Sequence, residues 1–89
     1  MSTQAATITR LSGEYLVVSR RSGSGIDHYL EVVGPDGRTS EQRVYWLHTM
    51  TPADVAEAAV DGHLGVHHPL KHRRPTRQTG EGTFVVTVG

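Results

Sequence analysis

The chain contains no cysteine. Disulfide staples, thiolate metal sites and cysteine nucleophiles are therefore excluded. Small secreted domains usually rely on disulfides, so a reducing compartment is expected and the cytoplasm is the natural location. No apolar run approaches the ~20 residues that span a bilayer, so no membrane association is expected. Met1-Ser2-Thr3-Gln4-Ala5-Ala6-Thr7 has neither a basic nor an apolar leader region, so no secretory signal is expected. No nucleophile elbow, Walker loop, dinucleotide fingerprint or internal repeat is present. An enzyme is accordingly the least supported class, and no cofactor is implied.

What is present fits one core. The 89 residues suffice for a single small domain and not for two. Net charge is formally zero, with nine basic and nine acidic residues. The layout is uneven. Residues 1–61 hold five basic and eight acidic side chains, while residues 62–89 hold four basic and one acidic. Four of the six histidines also lie in the second part. Such a dipolar layout suits an oriented contact with a partner.

Local patterns predict five strands and one helix. Thr7–Leu11, Glu14–Arg21, Ile26–Val33, Thr39–His48 and Thr83–Val88 read as strands. Gly34-Pro35-Asp36-Gly37-Arg38 is the clearest turn. Proline presets φ at the second position, and Gly37 can take the left-handed conformation of a type I turn plus bulge. Pairing Gly34 with Arg38 sets His28 opposite Val44, Leu30 opposite Gln42 and Val32 opposite Ser40. One face then carries Ile26, His28, Leu30, Val32, Val44 and Trp46, and is the expected core face. The other carries Asp27, Tyr29, Glu31, Glu41, Arg43 and Tyr45. Glu31 faces Glu41, an unfavourable pair that only diagonal Arg43 is placed to relieve. Thr51-Pro52-Ala53-Asp54 starts a helix, and Gly62 is its expected stop.

The predicted fold is α+β: a small antiparallel sheet of about five strands in the order ββββαβ, curled toward a half-open barrel, with one short helix. A basic irregular loop is expected at about 63–82, held extended by Pro69 and Pro75. The expected core is Ile8, Leu16, Val18, Ile26, Leu30, Val32, Val44, Trp46, Val55, Ala59, Phe84 and Val86. The choice of Leu16 and Val18 over Tyr15 and Val17 rests on little, because all four suit a pleated surface.

The loop carries the candidate chemistry. Lys71, Arg73, Arg74 and Arg77 are four fixed cations within seven residues. Their donors suit phosphate oxygens. Arg20 and Arg21 beside the Ser22-Gly23-Ser24-Gly25 tip are placed to join them, and His68 and His72 add charge below about pH 6.5. His63, His67, His68 and His72 have no carboxylate among them, and the nearby cations oppose a dication, so no metal site is expected. His28 reads as a core histidine. The segment Ile26–Val60 resembles, in element order, the three-strand-plus-helix arm-binding domains of tyrosine recombinases, with Gly34-Pro35-Asp36-Gly37-Arg38 in the hairpin turn. That resemblance implies a sheet face laid on DNA. The chain departs from it in its terminal strand and in the acidic Asp27, Glu31 and Glu41, so the family is not assigned.

Two functions follow as expectations. The first is a nonenzymatic module contacting a polyanion, nucleic-acid backbone above all, through the basic loop. The second is a protein–protein interaction module, such as an inhibitor or accessory subunit, using a sheet edge and the dipolar surface.

Overall fold

The turn chemistry at 34–38 closes as its residues dictate. Gly34 N–H donates to the Arg38 carbonyl at 2.8 Å, and Gly37 N–H donates to the Gly34 carbonyl at 3.0 Å. Asp36 Oδ1 accepts from Arg38 N–H at 3.0 Å, and Gly37 takes φ 86°. The computed structural model describes residues 12–65 and 76–89. In it the turn joins β2 (Asp27–Val33) to β3 (Thr39–Tyr45). The register is the expected one, with His28 opposite Val44, Leu30 opposite Gln42, Glu31 opposite Glu41 and Val32 opposite Ser40. Trp46 N–H donates to the Ile26 carbonyl at 2.8 Å, which extends the same register by one step.

β1 (Gly13–Ser22) pairs with β2 on one side and β5 (Thr83–Val88) on the other, and β4 (Arg77–Gly80) pairs with β5. All pairings are antiparallel, and the strand order is β3-β2-β1-β5-β4. Five strands and one helix make the small α+β fold that the sequence predicts. The sheet is open rather than curled into a barrel, with β3 and β4 at its two edges. Three strands precede the helix and two follow it among the described residues. The expected strand Thr7–Leu11, including Ile8, lies outside them. β4 falls inside the stretch expected to be irregular. Its Arg77 and Gln78 pair opposite Val85 and Phe84, a bond supplied by the terminal strand and not by local propensity.

Helix α1 (Pro52–Leu64) starts where expected. Thr51 Oγ1 accepts from Asp54 N–H at 3.2 Å, and Asp54 Oδ2 accepts from Thr51 N–H at 2.9 Å. This reciprocal pair is a capping box, with aspartate in the place of the usual glutamate. The helix does not stop at Gly62. It runs to Leu64, and Gly65 caps it in the left-handed conformation at φ 67°. Gly62 serves close packing instead: a Cβ there would lie 2.5 Å from Gln42 Oε1.

α1 covers one face of the sheet. Between them lie Tyr15, Val17, Leu30, Val32, Val44, Phe84, Val86 and Val88 from the strands and Val55, Ala56, Ala59 and Val60 from the helix. The expected core is corrected at four strand or turn positions. On β1 the buried residues are Tyr15 and Val17, because they pair with the inward Val86, Phe84 and Val32. Leu16 is 39% exposed on the opposite face, and Val18 is half-buried there. Ile26 lies one residue outside β2, in the turn from β1, and is 50% exposed. Trp46 is half-buried and packs on the core from its side.

Candidate functional site

Arg20 and Arg21, both nominated by the sequence, lie on the sheet face that α1 leaves open. A bulge in β1 decides this. The pairing steps from Ser19 opposite Leu30 to Arg21 opposite Tyr29, leaving Arg20 as the extra residue. Ser19 keeps the helix-side face, and both arginines project to the other. Arg20 bonds Glu31 at 2.6 Å, and Arg21 lies 3.8 Å from Glu41. The Arg21 guanidinium also stacks 4.0 Å over the Tyr29 ring. The repulsion between Glu31 and Glu41 is thus relieved from β1. Arg43, the residue expected to do this, turns to Tyr45, with its guanidinium 3.1 Å from the phenol oxygen. Arg77 opens β4 and lies 3.5 Å from Glu14 across β5. These pairs are exposed, each worth about 0–1 kcal/mol, so they shape the charge pattern more than the stability. Lys71, Arg73, Arg74, His68 and His72 lie outside the described residues, as does His67.

The other face holds an arrangement that sequence reasoning missed. Ser19 Oγ lies 2.6 Å from His28 Nε2, and Ser22 Oγ lies 3.3 Å from His28 Nδ1. The Trp46 ring meets the imidazole edge-on, with centroids 5.0 Å apart. A cavity of about 170 Å³ lies beside them, lined also by Leu30, Val55, Gln78 and Phe84. A hydroxyl bonded to an imidazole is the start of a nucleophile–base pair. Here the second ring nitrogen faces a hydroxyl and not a carboxylate. The Ser19 N–H, a candidate oxyanion donor, is spent on the Gly82 carbonyl at 2.7 Å. The arrangement supports a polar wall in an apolar pocket: a hydroxyl stands where acyl transfer uses an acid orienter, and the Ser19 N–H is already engaged. The spacing of Ser19, Ser22 and His28 gives no local signal. Only the β1–β2 pairing brings them together.

His63 stands at the far end of α1. Its Nδ1 lies 2.6 Å from Ser40 Oγ, which also accepts from Gln42 Nε2 at 2.8 Å. The Tyr15 ring meets it edge-on at 5.9 Å. Burial, reinforced by the Arg38 charge and opposed by Asp36, holds the His63 pKa below its usual 6.5. Burial, with the Asp36 charge adding to it, pushes the Tyr15 hydroxyl up. A histidine with a lowered folded pKa binds fewer protons folded than unfolded, so acid favours unfolding. Stability should therefore fall as pH drops from about 6.5 toward the folded value. Urea titrations between pH 7.5 and 5 should show this slope in the wild type and a shallower one in His63→Gln. Parallel slopes would remove His63 from the acid response.

The third feature is the β3 edge. The hydrogen bonds at Gly34–Arg38 and Ile26–Trp46 set the alternation along the hairpin. Ser40, Gln42 and Val44 turn their backbone groups to β2. Thr39, Glu41, Arg43 and Tyr45 turn theirs outward, and β3 has no strand beyond it among the described residues. The side chains of these four residues are exposed. No group of three or more His, Asp or Glu side chains able to hold a metal exists among the described residues. No described helix is long and apolar enough to cross a membrane. Comparison with protein-family models, curated proteins and solved structures finds no match.

Proposed function

We propose that the chain is a nonenzymatic protein-interaction module that accepts an extended partner segment along β3. The observation that carries this reading is the edge itself: seven residues in regular register, without proline, lysine or bulge, and with four outward backbone positions. Natural sheets usually blunt such an edge. With no described strand beyond it, it offers a row of donors and acceptors for strand addition. The charge pattern agrees. Arg20, Arg21 and Arg77 each face a carboxylate, and the described residues carry five arginines against nine carboxylates. Arginines so paired, within an excess of carboxylates, are poorly suited to phosphate. The polyanion reading therefore rests on Lys71, Arg73, Arg74, His68 and His72.

Photocrosslinking tests the proposal. A benzoylphenylalanine at position 45, on the edge, should yield a crosslinked protein product in the native host. Glu41→Pro should abolish it. That proline removes an outward N–H while leaving the β2 ladder bonds in place. No product at position 45, together with a gel shift of random duplex lost in the triple variant Lys71→Ala, Arg73→Ala, Arg74→Ala, would replace this reading with polyanion binding.

A further inference from the structure

We infer that the segment added to β3 is β3 of a second copy of this chain, paired antiparallel about Gln42. This rests on reading β3 as an interaction edge, and it names the partner.

Register follows from backbone alternation and charge. Only Thr39, Glu41, Arg43 and Tyr45 present outward hydrogen-bonding groups, so these must pair with one another across the new interface. That leaves three central registers. Pairing Glu41 with Glu41 opposes two carboxylates, and pairing Arg43 with Arg43 opposes two guanidinium groups. Pairing about Gln42 sets Glu41 opposite Arg43 of the second copy, and Arg43 opposite its Glu41. Opposite charges directly across a strand pair are favourable, and like charges are not. The same register sets Tyr45 opposite Thr39 of the second copy. Each of these contacts occurs twice, as a two-fold axis requires.

The result is a continuous ten-stranded sheet, five from each copy, with both helices on one face. On the helix, Gly62 packs on Gln42, the residue about which the pairing is centred. Ala58, one turn earlier, shares its side of the helix. Small side chains there are what two helices on adjacent edges need. Tyr45 and Leu47, 54% and 48% exposed, add apolar contact at each end of the seam. Glu41 keeps its approach to Arg21, which stands behind it on the same face.

A seven-residue seam lies at the small end of specific interfaces, so association should be weak and reversible. Sedimentation equilibrium of the full chain between about 10 μM and about 1 mM should show the mass rising from 9.7 kDa toward twice that value. Glu41→Arg alone sets arginine against arginine, and Arg43→Glu alone sets glutamate against glutamate. Each should weaken self-association at least about tenfold. Mixed one to one, the two variants set a pair of arginines on one copy against a pair of glutamates on the other. The mixture should associate at least as well as the wild type. Circular dichroism on each variant confirms folding, and both changes are on exposed side chains. A wild type that stays monomeric at 1 mM, single variants that associate unchanged, or a mixture that does not recover would each overturn the inference. Crosslinking from position 45 to a different protein, with no self-association, overturns the second copy alone and leaves the edge reading standing. Loss of both overturns both.

Discussion

Tyr15→Ala should destabilise the fold by about 3–5 kcal/mol, while Leu16→Ala, the next residue, should change stability by less than about 1 kcal/mol. Tyr15 is 2% exposed and Leu16 is 39% exposed. The first fills the space between Val86 on β5 and the end of α1, where it meets His63 and lies under Gly34. Its removal deletes a large ring from a close-packed site whose neighbours are tied into sheet and helix. The second lies on the open face between Val33 and Val85, and truncation there leaves no enclosed void. A domain of this size has a total stability of about 5–15 kcal/mol, so Tyr15→Ala should remove a large share of it. Urea midpoints for the two variants measure the contrast. A reversed order, with Leu16→Ala the larger loss, would mean that β1 is flipped by one residue.

Leu30→Ala should cost about 2–5 kcal/mol, and Leu30→Met less than about 1.5 kcal/mol. Leu30 is 1% exposed at the centre of the β2 core face. It also lines the cavity beside Ser19 and His28. Truncation would enlarge a space that the surrounding side chains already leave unfilled, so collapse cannot recover the lost contacts. Methionine keeps most of the volume and bends to fit. Thermal unfolding reads this directly, since 1 kcal/mol corresponds to about 4–8 °C in a domain this small. A Leu30→Ala variant melting within about 2 °C of wild type would show that the site repacks.

Both effects depend on which side of a strand a residue occupies, and the two strands differ in how legible that is. Leu30 reads as a core residue from sequence because its strand is anchored by a turn. Gly34-Pro35-Asp36-Gly37-Arg38 sets the hairpin register through φ preferences and an Asx bond, all within five residues. Tyr15 reads onto the wrong face. Tyr15-Leu16-Val17-Val18 is apolar on both sides of the strand, so alternation carries no information there.

Short-range chemistry by itself therefore determined the β2–β3 hairpin, the Thr51–Asp54 helix start, the terminal strand and the α+β class. Each rests on residues a few positions apart, whose dihedral preferences and caps act before any tertiary contact forms. Tertiary structure alone decided the rest. The helix passes Gly62, which is packed against Gln42 from β3, and stops at Gly65. β4 forms because β5 offers it a ladder. The bulge at Arg20 turns two adjacent arginines to one face, where the acids of β2 and β3 meet them. Ser19 and His28 become a bonded pair only when β1 folds back on β2. These are contacts between distant parts of the chain, and their energy depends on register, which local sequence constrains only where a turn or a one-sided apolar pattern sets it.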